Sequence, residues 1–239
     1  MPQLRSNFPV IKSLAYRADR LILLFHGLGS VPERTRASER DYWCERDRFL
    51  SILDAICSLP AEISIEITFD DGNLSDAVVA LPALVDRGLK ARFFVCAGRI
   101  GRSGYLDCAA MNELVSSGME IGSHGWDHLR WPRVDDARLD VEIDDARKKI
   151  ADCIGRPVDD VSIPFGIYNR RVLRRLRQSN IRTVFTSDGG RAPSSGWILP
   201  RETFRKTTWD DGILTESATC RFSAGAVRRS VVGLIKRLR

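Results

Sequence analysis

The chain has 239 residues, 44% of them hydrophobic and 28% charged, with 37 Lys and Arg against 31 Asp and Glu for a formal charge of +6. Such a composition suits a chain with a sizeable buried core and excludes the disordered, collagen-like and low-complexity classes. The positive surplus favours anionic surroundings, but no basic run is interleaved with aromatics as a single-strand groove requires, so no nucleic-acid partner is expected.

From the N-terminus, residues 1–20 scatter charges and prolines and lack the apolar stretch of a signal peptide. No apolar run reaches bilayer-spanning length, so a cytoplasmic protein is expected. Leu21–Phe25 is a continuous apolar run suited to a strand covered on both faces, and it ends at His26. After a polar loop over 30–47, Phe49, Ile52, Leu53 and Ile56 recur at helical spacing. Ile63, Ile65, Ile67 and Phe69 then alternate with the period of a strand that ends in Asp70, Asp71 and Gly72. Adjacent side chains on a regular strand face opposite ways, so both carboxylates reach one site only if the chain turns there, as Gly72 and Asn73 permit.

The alternation continues with a helix over 74–87 interrupted by Pro82, and a strand over 91–97. A helix over 109–117 and a strand over 119–123 ending at His124 follow, then a long helix over 135–154. The remainder reads as a short strand over 161–165, a helix over 170–179, a strand over 183–186 and a last strand within 198–204. Strands separated by helix-length segments predict βαβ units and a parallel sheet. Seven strands fit an open doubly wound sheet or a closed barrel, and polar residues after nearly every strand favour the barrel. No domain boundary stands out, so one domain over 1–239 with a core at about 21–204 is expected. The six cysteines, at 44, 57, 96, 108, 153 and 220, lack Cys-x-x-Cys spacing and are expected as free thiols in a reducing compartment.

Three strand ends hold chemistry: His26, the Asp70-Asp71 pair, and His124 with His128, and these are the chain's three histidines. In a barrel those ends converge. A His-x-x-x-His pair suits two ligands of one metal, and one of the two Asp would complete a catalytic zinc set with an open position. The other Asp would be free to accept a proton.

Thr68-Phe69-Asp70-Asp71-Gly72 and Ser123-His124-Gly125-Trp126-Asp127-His128 resemble the first two motifs of the polysaccharide deacetylases, carbohydrate esterase family four, also called the nodulation-type chitooligosaccharide deacetylase homology domain. Supporting similarity runs through 88–95 and 118–124. The resemblance implies a distorted, TIM-like (β/α)7 barrel and a divalent metal, Zn2+ first, held by Asp71, His124 and His128, with Asp70 as general base. It implies hydrolysis of an N-acetyl or O-acetyl group on an amino-sugar polymer, oligosaccharide or lipid-linked glycan, with the backbone N–H of Phe165 as oxyanion donor. The third motif departs from the family: Ser162 stands where an arginine normally pairs with the base. Arg201, at the last strand, is expected to supply that charge. No histidine follows His128, and His26 resembles an N-terminal histidine found in a subset of the family, which implies that it is the general acid.

Asp188 is a weaker candidate for an orienting carboxylate, and Tyr105, Trp126, Trp131, Tyr168 and Trp197 are candidates for stacking on sugar. The segment 223–239 alternates apolar and basic residues at helical spacing and is expected either to pack as a helix or to lie on an anionic membrane surface. Two other functions fit the same residues: hydrolysis of a non-sugar amide or ester, and an inactive carbohydrate-binding relative.

Overall fold

The structure, a computed structural model, describes residues 20–33, 35–61, 63–193, 195–210, 212–214 and 236. The stretch 1–19, Cys220 and the basic segment 223–239, apart from Lys236, lie outside the described residues.

One parallel sheet contains β1 (Leu21–Phe25), β2 (Ile65–Phe69), β3 (Ala91–Val95), β4 (Glu120–Ser123), β5 (Asp160–Ser162), β6 (Thr183–Thr186), β7 (Ile198–Pro200) and β8 (Glu202–Thr203). Neighbours follow chain order from β1 to β7, while β8 lies against β1. The run 198–203 therefore closes a barrel by pairing first with β6 and then with β1. Arg201 sits where it crosses over, its N–H on the Thr186 carbonyl at 2.9 Å. The seventh predicted strand is thus present but divided into two short ladders.

Around the sheet lie α1 (Arg46–Cys57), α2 (Leu81–Val85), α3 (Cys108–Ser116), α4 (Asp136–Asp140), α5 (Ala146–Ile154) and α6 (Arg170–Gln178). A π-helical turn, Asp76–Ala80, precedes α2. Pro82 lacks an N–H and its ring crowds the carbonyl four residues back, which a widened turn relieves. A second π-helical turn, Val141–Asp145, joins α4 to α5 and brings both Glu142 and Ile143 to the buried side. Outside the barrel, one apolar cluster packs α1, α2, α3 and α5 against β1–β4, and another packs α4 and α6 against β5 and β6.

The barrel interior is layered. At the N-terminal end of the strands Arg92 pairs with Glu66 at 2.5 Å and with Asp160 at 3.3 Å. Above it Ile22, Phe94, Phe185 and Leu199 form an apolar plug. Phe94 needs its neighbouring strand to carry no side chain: a Cβ on Gly122 would lie 2.5 Å from the ring. Thr68, Asp70, Ser162, His124 and Arg201, all buried, form the layer above the plug. Phe165, read as the end of a strand, instead lies in a 3-10 turn, Pro164–Gly166, beyond β5.

The expectation of free thiols throughout is corrected. Cys108 and Cys153, 45 residues apart on α3 and α5, are disulfide-bonded with Cα atoms at 5.1 Å. The pairing brings two helix faces together in space and leaves no spacing signature. Cys44 and Cys96 are free and buried, whereas Cys57 is free and exposed. No helix among the described residues is long and apolar enough to cross a membrane.

Candidate active site

The strand ends gather His26, Asp70, Asp71, His124, His128, Phe165 and Arg201 on one cleft of about 1000 Å³. Asp71, His124 and His128 each present a ligand atom, all within 4.8 Å of one another. His124 is fixed by its Nδ1, 2.9 Å from the Ser162 carbonyl. A carbonyl only accepts, so Nδ1 carries a proton, and Nε2 is the ring nitrogen that faces the site. The two approaching carboxylates are separate: His124 Nε2 lies 3.6 Å from Asp70 Oδ2, and His128 Nε2 lies 3.6 Å from Asp71 Oδ1.

Burial works against ionised Asp71, but His128 and the Arg99 guanidinium, 2.9 Å from Oδ1, outweigh it and bring the carboxyl down to about 2. Burial likewise lowers His128 to about 3, leaving its imidazole neutral. An ionised Asp71 beside the neutral His128 imidazole, with His124 Nε2 converging on the same point, suits a divalent cation, so the donor set fits a metal.

The chain turns sharply to bring these groups together. Asp71, His128 and Phe165 have φ of 80°, 57° and 59°, a region that non-glycine residues occupy at a cost of about 1–3 kcal/mol each. A fully buried carboxylate holds the His124–His128 loop: Glu142 accepts the backbone N–H groups of Trp126 and Asp127 at 3.1 Å and Trp131 Nε1–H at 3.2 Å. Gly125 passes so close that a Cβ there would lie 2.6 Å from Glu142 Oε2, and its φ is 83°. Sequence reading missed Glu142. Its signal was a carboxylate at the core-facing spacing of Leu139, Ile143 and Ala146 on a helix otherwise charged on its outer side.

Asp70 lies below the metal-ligand cluster and is 2% exposed. Arg201 grips it with two bonds, Nη1 to Oδ1 at 2.8 Å and Nη2 to Oδ2 at 2.7 Å. Ser162 Oγ donates to Oδ2 at 2.9 Å and accepts from Arg201 Nη2 at 2.6 Å. The serine at the departed motif position therefore bridges the Asp70 carboxylate and the guanidinium. Burial pushes the Asp70 carboxyl up, but Arg201, with His124, holds it well below the usual carboxylate range.

His26 is 5.0 Å from the Tyr42 ring, centroid to centroid, and its buried Nδ1 has no hydrogen-bond partner among the described residues. Burial lowers its imidazole below the ordinary range. Asp188 lies elsewhere in the cleft, accepting from Tyr168 Oη at 2.7 Å and Thr186 Oγ1 at 3.0 Å and pairing with Lys236 Nζ at 2.5 Å. Lys236 Nζ also bonds the Gly166 carbonyl at 2.8 Å. Of the aromatic candidates, Tyr105 lines the cleft, Trp131 and Tyr168 are buried in the core, and Trp197 packs beneath Arg177. Trp126 packs against the core with Lys149 over its ring.

A family model described as polysaccharide deacetylase matches residues 60–184, just over half of the chain. A peptidoglycan-N-acetylglucosamine deacetylase of Bacillus cereus is 29% identical over 124 residues, 52% of this chain and 56% of that protein. The peptidoglycan-N-acetylglucosamine deacetylase PgdA of Listeria monocytogenes is 27% identical over 113 residues, 47% of this chain and 23% of that protein. The match thus spans about half the length of the first curated relative and about a quarter of the second. In fold, the chain is similar to the Streptococcus pyogenes deacetylase PplD solved with acetate, with a TM-score of 0.73 and 20% identity over 82% of this chain and 97% of that one. The matched segment begins ahead of β2 and ends in β6, and so includes the Asp70-Asp71 turn and the His124–His128 loop: the chain belongs to the polysaccharide deacetylase family.

Proposed function

We propose that the chain is a metal-dependent hydrolase that removes acetyl groups, N-acetyl in the first instance, from an amino-sugar polymer, oligosaccharide or lipid-linked glycan. One observation carries this reading: three convergent metal-ligand side chains stand beside a buried carboxylate that a guanidinium keeps ionised. Asp71, His124 and His128 would hold the cation, and a nitrogen-rich set with one carboxylate suits Zn2+. A cation there supplies polarisation of the acetyl carbonyl and acidifies the attacking water.

The protein's own groups divide the remaining work. Asp70, fixed in orientation by Arg201 and Ser162, accepts the proton of the attacking water. The Phe165 backbone N–H, presented by the left-handed turn after β5, is assigned to the developing oxyanion. His26 is assigned to protonate the departing amine, for which its imidazole must be charged, a form that burial disfavours and the neighbouring Asp71 and Asp70 carboxylates favour. His26→Ala should then abolish hydrolysis of an acetamide while sparing a nitrophenyl acetate, whose leaving group needs no proton. Equal loss on both substrates would remove His26 from that role.

Acetate release from a panel of N- and O-acetylated saccharides, measured alongside metal content, tests the reading. Release from an acetamidosugar supports it. Turnover of simple amides or esters alone would transfer the site to another acyl acceptor, and saccharide binding without release would make the chain an inactive relative. The compartment is part of the proposal too. The Cys108–Cys153 bond favours an oxidising setting over the cytoplasm expected from sequence.

A further inference from the structure

Three arginines at the cleft are each backed by an aromatic ring, and each ring or guanidinium adjoins a different residue of the site. Arg99 lies over Tyr105, its Cζ 5.2 Å from the ring centroid, and bonds Asp71. Arg130 lies 5.3 Å from the centroid of Phe165, whose ring is 4.2 Å from that of His128. Arg205 lies 4.7 Å from the centroid of Tyr42, bonds its hydroxyl, and Tyr42 in turn stands against His26. A ring occupies one face of a guanidinium and holds it in place, yet the N–H groups lie in the guanidinium plane and stay available. Arg130 and Arg205 are exposed, as is Arg36 at the same mouth.

The cleft also contains carboxylates, and nearly all are committed to protein partners. Asp70 is held by Arg201, Asp127 by Arg138, Asp188 by Lys236 and Tyr168, and Glu202 accepts the Gly190 N–H at 2.9 Å. Glu39 stands exposed in the same lining. The mouth therefore offers planar, ring-supported cations, and of the carboxylates exposed beside them Asp127 is already paired with Arg138.

Building on the deacetylase reading, we propose that the substrate glycan is anionic, carrying a carboxylate or phosphate close to the acetylated sugar, and that Arg130 and Arg205 bind that charge. Guanidinium groups pair with both oxyanions through two parallel N–H bonds, so the fork geometry suits either source.

Binding of three oligosaccharides of equal length separates the outcomes: neutral N-acetylglucosamine, N-acetylglucosamine alternating with a uronic acid, and a phosphodiester-linked N-acetylhexosamine. Calorimetric titration at about 20 mM salt should show at least one anionic ligand binding roughly tenfold more tightly than the neutral one, an advantage that shrinks at about 200 mM. Whichever ligand gains identifies the charge as carboxylate or phosphate. In Arg130→Gln/Arg205→Gln the advantage should fall to within about twofold, and Arg130→Lys/Arg205→Lys should recover only part of it. Equal, salt-insensitive binding of all three by the unmutated protein overturns the proposal, as does an advantage untouched by the double variant. Acetate release is followed on the same ligands. A binding preference without release from any of them would refute the deacetylase reading and leave the anion site standing.

Discussion

Arg201→Met removes the only guanidinium seen on Asp70 among the described residues and leaves a methylene stem of similar length. The wild-type guanidinium is 1% exposed, makes two bonds to Asp70 and one each to Ser162, Thr68 and the Thr186 carbonyl, and lies 5.2 Å from the Phe94 ring centroid. Its loss strands a carboxylate that is itself 2% exposed. Breaking a buried pair from one side costs about 3–5 kcal/mol, so denaturant unfolding at neutral pH should lose roughly that much. The pH dependence carries a sign. Asp70 is held below its ordinary 3.8 in the folded protein, so its contribution is present above about pH 4 and fades as pH falls toward the lowered folded value. In the variant, burial without the counter-charge raises Asp70 instead, and stability should fall as pH rises from about 4. Turnover at neutral pH should drop about 10²–10⁴-fold as the base becomes protonated, with metal content unchanged. Asp70→Asn/Arg201→Met should lose at least about 2 kcal/mol less than the two single variants summed. Strictly additive losses, or a variant that keeps its stability and its turnover, would refute the coupling.

Glu142→Gln keeps the shape of the carboxylate but turns an NH2 group either toward the Trp126 and Trp131 donors or toward the Asp127 and Arg138 donors; metal affinity should weaken about 10–100-fold, read by competitive titration. Asp76 is fully buried, neither oxygen has a hydrogen bond of normal geometry among the described residues, and burial beside Asp71 and Asp70 outweighs the Asn73 backbone N–H and pushes its carboxyl well above the ordinary range. The folded protein therefore holds a proton that the unfolded chain releases above about pH 4, so stability falls as pH rises from there toward the raised value. Asp76→Asn should flatten that fall, and parallel pH–stability curves for the two proteins would contradict it. Thiol titration under denaturing, non-reducing conditions should find two fewer thiols than after reduction, and reduction should cost about 2–4 kcal/mol of stability.

Much of the barrel was legible because its strands are short apolar runs with the chemistry at one end. The period-two run before Asp70 and the continuous run before His26 each proved to be a strand with that residue just beyond it. Arg201 was visible as a charge in search of a partner, since Ser162 had vacated the usual position. The bridging hydroxyl of Ser162 was not visible, because it depends on three strands meeting at one depth in the barrel. Glu142 and Arg99 were missed because a charge on a helix or after a strand ordinarily faces water, and only the π-helical turn and the 3-10 turn after β3 carry these two inward. The Cys108–Cys153 pair depends on how α3 and α5 lie side by side, which local spacing does not encode.

The most direct test is acetate release from an acetylated amino-sugar oligomer before and after removal of bound metal by a chelator. Release that stops on chelation and returns with about one equivalent of zinc per chain, and that fails to return in Asp71→Asn, is the result the proposed function predicts. Release that continues undiminished in the metal-free protein would contradict a metal centre at Asp71, His124 and His128.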